Sequence, residues 1–260
     1  MNRIAEKFKL LQSQNAKAFI PYITPEFPVP GTTVPLIIEL EKAGATMIEI
    51  GIPFSDPLAD GPTIQHSSEI AIRNGATIHR VFECVKEARK ATAVPLILMG
   101  YFNPILQYGT EKFLRDAKEC GVDGLIVPDL LPEESLEFRT LSQRYGLSTI
   151  FLVAPTSSDE RIRTLGELST DFVYCVSVTG VTGSRNSFGD NFTEFLTRVK
   201  NHSGKPFVVG FGISTKEHVR RISSVADGVV VGSALLQAIG DKQTVGETVR
   251  SAHAFISTLL

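Results

Sequence analysis

Apolar and polar residues fall along this chain in blocks. Short runs rich in Val and Ile, without clean polar alternation, give way to stretches in which apolar residues recur every three or four positions. The first pattern is that of strands buried on both faces, and the second that of helices lying over them. The runs at 18–24, 46–51, 94–99, 124–127, 148–153, 172–178, 206–210 and 227–231 read as eight strands. Helical patterns follow at 34–43, 64–73, 78–91, 110–120, 132–146, 157–168, 192–200, 214 onward, 233–239 and 244–259. Gly44 closes the first of these as a left-handed cap, and Gly121 and Gly146 end two others. Ser157-Ser158-Asp159-Glu160 and Ser214-Thr215-Lys216-Glu217 are capping-box signatures. Ahead of the rhythm, Ile4, Phe8 and Leu11 fall at helical spacing and predict a short amphipathic helix, over 1–14, that covers one end of the fold.

Eight strand–helix units predict an α/β fold in which parallel strands close inside a ring of helices, a (β/α)8 TIM barrel. The competing architecture is an open doubly wound sheet, but the first strand–helix turn lacks the glycine fingerprint that such sheets use for dinucleotides. The chain has 260 residues, and no Ser/Gly-rich linker, charge block or low-complexity tract divides it. A single domain over 1–260 is therefore expected, since barrels of about 250 residues form one domain.

Composition narrows the function. A net charge of -2 argues against a nucleic-acid binder, which would show a basic stripe. No apolar run approaches the ~18 residues of a membrane span, and residues 1–10 have no hydrophobic signal core. Cys84, Cys120 and Cys175 are far apart, lie in apolar settings and show no metal or redox spacing, so buried thiols in a reducing cytoplasm are expected.

The chemistry concentrates in one stretch, Glu49-Ile50-Gly51-Ile52-Pro53-Phe54-Ser55-Asp56-Pro57-Leu58-Ala59-Asp60-Gly61-Pro62-Thr63-Ile64-Gln65. An unpaired carboxylate inside an apolar strand costs several kcal/mol, so Glu49 either shifts its pKa or finds a partner. A structural ion pair is one reading of Glu49, and turn chemistry before Gly61-Pro62 is one reading of Asp60. Taken together, two carboxylates on one strand–loop unit favour acid–base work. In a barrel the site lies in the loops after the strands. Those after the sixth, seventh and eighth strands carry Gly180-Val181-Thr182-Gly183-Ser184, Gly210-Phe211-Gly212-Ile213-Ser214 and Gly232-Ser233-Ala234. Glycine lets backbone N–H groups approach an anion, so these loops are candidates for holding phosphate, though each alone reads equally as a tight turn. Arg185 is either a charge partner there or a solvated loop side chain. No lysine stands at the inner end of a strand, which argues against Schiff-base chemistry. The five histidines lie on helices or helix ends, away from the strand-end carboxylates, so no metal site is expected. Tyr22, Tyr101 and Tyr174 fall near strand ends and, with Phe211, line an aromatic pocket or else pack the rim. The residues thus point to a metal-free, carboxylate-driven reaction on a phosphorylated, partly aromatic substrate.

The run from Glu49 to Gln65 resembles the signature of the tryptophan synthase alpha subunit family. Gly180-Val181-Thr182-Gly183, Gly210-Phe211-Gly212-Ile213-Ser214 and Gly232-Ser233 match further family motifs in order, so the resemblance covers essentially the whole chain. It implies retro-aldol cleavage of indole-3-glycerol phosphate to indole and glyceraldehyde 3-phosphate. Glu49 would be the general acid–base and Asp60 the partner of the indole N–H. The resemblance also implies a phosphate site of Thr182, Gly183, Gly212, Gly232 and Ser233. The implied indole pocket is Tyr22, Tyr101, Ile126, Leu152, Tyr174, Phe211 and Val230. No cofactor is implied in this chain. The implied partner is a pyridoxal-phosphate (PLP) beta subunit in an alpha2beta2 assembly, with Pro53, Asp56, Pro57, Asn103 and Pro132 facing it and 179–190 acting as a mobile loop over the site. The chain departs from the family pattern at Pro128, over 25–35 and at Val178-Thr179. Three other readings remain at this level. A stand-alone indole-3-glycerol phosphate lyase would need no partner, a non-catalytic allosteric subunit would not turn over, and a barrel isomerase or epimerase would fit the phosphate loops but not 52–65.

Overall fold

The computed structural model describes residues 2–176, 190–210 and 212–260. Among the described residues there are nine strands: β1 (Ala18–Ile23), β2 (Ile48–Gly51), β3 (Leu96–Met99), β4 (Gly124–Ile126), β5 (Ser148–Ile150), β6 (Leu152–Val153), β7 (Val173–Cys175), β8 (Phe207–Val209) and β9 (Gly228–Val231). Every pairing is parallel, in the order β5-β4-β3-β2-β1-β9-β8-β7-β6. The two ends of that order are neighbours in the chain, separated by Phe151 alone, so the sheet closes into a barrel.

The strand expected over 148–153 is therefore one segment serving two neighbours. β5 pairs with β4 and β6 with β7. At the switch, the Phe151 N–H donates to Ser169 Oγ at 3.1 Å and its carbonyl accepts the Tyr174 N–H at 3.0 Å. The eight predicted strands are all present.

Twelve helices are described: α1 (Arg3–Ser13), α2 (Thr33–Lys42), α3 (Pro62–Arg73), α4 (Ile78–Ala88), α5 (Phe102–Tyr108), α6 (Thr110–Cys120), α7 (Leu136–Arg144), α8 (Asp159–Leu168), α9 (Asp190–His202), α10 (Lys216–Ser223), α11 (Ser233–Ile239) and α12 (Val245–Leu259). Three details differ from the sequence reading. Pro132 opens a separate 3-10 turn, Pro132–Glu134, and α7 starts only after Ser135. α5 falls where the sequence reading places no helix, between the third strand and the helix at 110; Pro104 sits in its first turn, where no intrahelical N–H is needed. The capping residues lie one position later than the boxes suggest: Ser158 accepts from the Arg161 N–H and Thr215 from the His218 N–H. Among the described residues no helix is long and apolar enough to cross a membrane.

The N-terminal end of the barrel is sealed as the Ile4, Phe8 and Leu11 spacing predicts. All three are buried, and Phe8 packs on Phe172 with ring centroids 5.3 Å apart. Asn2 caps α1 and also donates to the Asp123 carbonyl and to Ser148 Oγ at 2.8 and 2.6 Å. Asp123, buried at the start of β4, takes Arg3 at 2.8 Å, Arg89 at 2.5 Å and the Leu96 N–H at 2.9 Å. These bonds tie α1, α4 and two strands into a rigid floor. Residues 25–35 fold around the buried Glu26 carboxylate, which accepts from the Gly31 N–H at 2.6 Å and Thr33 Oγ1 at 3.0 Å.

Candidate active site

The opposite end of the barrel carries the chemistry. Tyr22 on β1 and Glu49 on β2 are in register, so their side chains share one face of the sheet. That face is the barrel interior: a Cβ on Gly51 would lie 1.9 Å from the Tyr22 hydroxyl, and one on Gly210 would lie 1.9 Å from the Tyr174 hydroxyl. Two glycines thus leave the space that two phenols fill.

Glu49 is 1 % exposed, and its Oε1 has no hydrogen-bond partner. The structural ion pair that would have explained it blandly is absent among the described residues. Burial, reinforced by the negative charge of Asp60, pushes its pKa up to about 8. The loop after β2 brings Asp60 back over the mouth. Its turn is closed by Asp60 N–H to the Pro57 carbonyl at 3.0 Å, and Phe54 packs on the Tyr101 ring at 5.5 Å. The Ala59 N–H donates to the Tyr101 hydroxyl at 2.9 Å, which leaves that hydroxyl free to donate to the Asp60 carboxylate. Burial raises the Asp60 pKa to about 6, with the Tyr101 hydrogen bond opposing the rise. Burial also holds the Tyr22 and Tyr174 hydroxyls well above their ordinary range, and the nearby Glu49 and Asp60 charges add to this. At neutral pH the mouth therefore contains a protonated glutamic acid, an aspartate that is mostly ionised and three neutral phenols.

Tyr22, Glu49, Asp60, Tyr101 and Tyr174 are close enough to act on one another's charges, and the other residues singled out from sequence are placed as follows. Ile126 and Val230 are buried, and Leu152 is half-buried; they lie on β4, β9 and β6. Gly232 and Ser233 stand at the start of α11, and Gly212 has φ +67, a conformation that favours glycine. Thr182, Gly183, Arg185, Phe211 and the loop 179–189 lie outside the described residues. Sequence reasoning missed the Tyr101 hydroxyl as the clasp on the acid loop, a contact between residues 42 apart. An open cleft of about 610 Å³ lies at the N-terminal end of the barrel beside Asn2, Thr149 and Lys205 and holds none of these groups. Among the described residues no group of His, Cys, Asp and Glu could hold a metal ion.

Pro53 and Pro57 are half-buried and Asp56 is exposed on the loop after β2; Asn103 is exposed on α5, and Pro132 is half-buried. Beside them four leucines face solvent: Leu58 at 94 %, Leu106 at 54 %, Leu131 at 54 % and Leu136 at 66 % exposure. All four come from loops and helices that follow β2, β3 and β4, three adjacent strands.

Residues 8–258 match the family model described as "Tryptophan synthase alpha chain". The chain is 51 % identical to the tryptophan synthase alpha chain of Geotalea uraniireducens, across 91 % of this chain and 89 % of that one. It is 46 % identical to that of Chlorobium limicola, across 99 % and 98 %. Among solved structures it superposes on tryptophan synthase subunit alpha from Legionella pneumophila with a TM-score of 0.91, at 37 % identity and covering 100 % and 97 % of the two chains. It also superposes on a chain of the tryptophan synthase complex from Pyrococcus furiosus with a TM-score of 0.86, at 38 % identity and 93 % and 97 % coverage.

Proposed function

Because the chain belongs to the tryptophan synthase alpha chain family, we propose that its barrel mouth cleaves indole-3-glycerol phosphate to indole and glyceraldehyde 3-phosphate, with Glu49 and Asp60 as the reacting groups. The observation that carries the assignment is the separation of the two carboxyl groups: one is held protonated by a dry strand, the other ionised in a tyrosine-clasped loop. Cleavage of the bond between the indole ring and the glycerol chain needs a proton on the ring carbon, and Glu49 carries one. The resulting positive charge on the ring nitrogen needs an anion, and Asp60 supplies it while accepting the N–H hydrogen bond. When the carbon–carbon bond breaks, the adjacent glycerol hydroxyl becomes the aldehyde and gives up its proton. Glu49, now a carboxylate, takes that proton and is restored.

Tyr22, Tyr101, Ile126, Leu152, Tyr174 and Val230, with Phe211, are assigned to the indole pocket. Gly212, Gly232 and Ser233, with Thr182 and Gly183, are assigned to the phosphate. The backbone N–H groups at the start of α11 support that choice. The partner is a beta subunit, and pyridoxal phosphate belongs to it. We assign the beta-facing surface to Pro53, Asp56, Pro57, Asn103 and Pro132, and the assembly to alpha2beta2. The exposed leucines beside those residues support a docking face, since contiguous apolar rims on soluble chains mark interaction sites; they also weigh against a stand-alone lyase. The buried free thiols of Cys84, Cys120 and Cys175 are consistent with a cytoplasmic setting.

The test is indole release by the purified chain, with and without a beta subunit, beside Glu49→Gln and Asp60→Asn. Slow release that rises with the partner and vanishes in Glu49→Gln is expected. Absence of release by folded wild type under both conditions would leave a binding or regulatory subunit and refute the assignment.

A further inference from the structure

The first two turns of α3 reach three different neighbours. Thr63 Oγ1 accepts from Gln237 Nε2 of α11 at 3.1 Å, Gln65 Nε2 donates to the Asp60 carbonyl at 2.8 Å, and Ser67 Oγ meets Thr24 Oγ1 at 2.7 Å. The first two bonds are exposed, where water substitutes for either partner. The third is dry: Thr24 is 2 % exposed and Ser67 0 %. Ser67 donates its only proton to the Ile64 carbonyl at 2.9 Å, so Thr24 is the donor to Ser67. A hydroxyl pair buried this way is expensive to break on one side, because the orphaned partner keeps its full desolvation cost.

Its position gives it a role. Thr24 lies two residues beyond Tyr22 and so on the same face of the chain as it leaves β1, and Tyr22 is in register with Glu49. α3 starts two residues after Asp60. The fully buried positions of α3 are Ser67, Ser68 and Ala71, all small, and its bulky Ile64 and Ile70 pack against the core only half-buried. The hydroxyl pair adds to that packing a directional contact that helps fix where α3, and with it Asp60, sits relative to β1.

We propose that Ser67 is a positioning residue for the reaction: through Thr24 it locks α3 to the end of β1 and so holds Asp60 in place opposite Glu49. This rests on the lyase reading of the same site. The charged and titratable groups around Asp60 are Glu49 on β2, Tyr22 on β1, Tyr101 after β3 and Tyr174 on β7. A loosened α3 admits water among them, and the Asp60 carboxyl then titrates closer to an ordinary aspartate.

Four variants test this in the full chain with its beta subunit: Ser67→Ala, Thr24→Val, the double variant, and Thr24→Ser, which keeps the hydroxyl. Ser67→Ala and Thr24→Val are expected to lower kcat on the order of tenfold, the scale of a small misplacement of a reacting group. KM should stay within about twofold, because the phosphate contacts are untouched. In both variants the acid limb of the pH profile, and the Asp60 resonance followed by carbon-13 NMR, should move to lower pH. Thr24→Ser should remain within about twofold of wild type in kcat. The double variant removes both hydroxyls of the pair and leaves the buried Tyr22 hydroxyl without Thr24 as its partner, so its thermal transition should recover only in part towards wild type while kcat and the Asp60 titration do not. A double variant that regained kcat along with stability, or a folded Ser67→Ala with wild-type kcat and titration, would overturn the proposal. If folded wild type released no indole, the lyase reading would fail by itself. An Asp60 titration unchanged across the variants would then still overturn the positioning role.

Discussion

At neutral pH the folded barrel holds a proton on Glu49 that the unfolded chain does not. The folded pKa is raised from 4.5 to about 8, so the stability this group contributes is fully present below 4.5 and is lost as pH rises through 8. At about 1.4 kcal/mol per pH unit, crossing that window removes on the order of 5 kcal/mol relative to a side chain that does not titrate. Glu49→Gln is such a side chain, with nearly the same shape. The variant should match wild type near pH 4.5, gain on it steadily between pH 5 and 8, and exceed it by about 5 kcal/mol at pH 9, while releasing no indole. Urea unfolding at pH 5, 7 and 9, followed by circular dichroism, reads this directly. Part of the effect comes from the Asp60 charge, the second cause of the shift, so the gain should shrink in an Asp60→Asn background. A stability difference that stayed flat with pH would refute the reasoning, as would a Gln variant less stable than wild type at pH 9. Either would mean that Glu49 is ionised in the folded state and paired.

The two carboxyl groups also predict a bell-shaped kcat/KM profile, with limbs near 6 where Asp60 must ionise and near 8 where Glu49 must keep its proton; Asp60→Asn should lose the acid limb along with most of the rate, read by stopped assays of indole across pH. Gly51→Ala should destabilise the chain by about 1–3 kcal/mol through its clash with the Tyr22 ring, with a favourable coupling to Tyr22→Leu in a double-mutant cycle. Asp123→Asn should cost about 3 kcal/mol in urea unfolding by leaving the buried Arg89 without its carboxylate, and should leave KM unchanged because the pair lies at the far end of the barrel. Leu131→Glu should weaken association with the beta subunit in titration calorimetry with little effect on the melting temperature, since Leu131 is 54 % exposed in the isolated chain.

The sequence was most legible where energetics leave few choices. Val- and Ile-rich runs without alternation have to be strands covered on both sides, and eight of them followed by helices close in few ways. Glu49 stood out for the same reason, since a lone carboxylate in an apolar strand is costly unless it is used. What escaped the sequence depends on contacts between distant residues. The break at Phe151 follows from a side chain eighteen positions later, Ser169, taking its N–H. The Tyr101 clasp and the Thr24–Ser67 pair join residues 42 and 43 apart, and nothing local marks them. Leu58, Leu106, Leu131 and Leu136 are ordinary residues one at a time, and form an exposed rim only once the loops after β2, β3 and β4 are side by side.

The tyrosines explain why two carboxyl groups alone can set the pH response. Phenols inside a barrel would normally be excluded for want of room, but Gly51 and Gly210 supply that room opposite Tyr22 and Tyr174. Once inside, they line the mouth with ring carbon, which dries Glu49 and raises its pKa. They keep their own protons because the same burial pushes them well above their ordinary range. Both phenols are therefore neutral across the range where Glu49 and Asp60 titrate. Opening either glycine–tyrosine contact should thus do more than loosen packing. Water would enter beside Glu49, its pKa would fall towards that of an ordinary glutamate, and the alkaline limb of the profile would move down with it. A Tyr174→Ala chain whose alkaline limb stayed near 8 would show that the drying comes from elsewhere in the mouth.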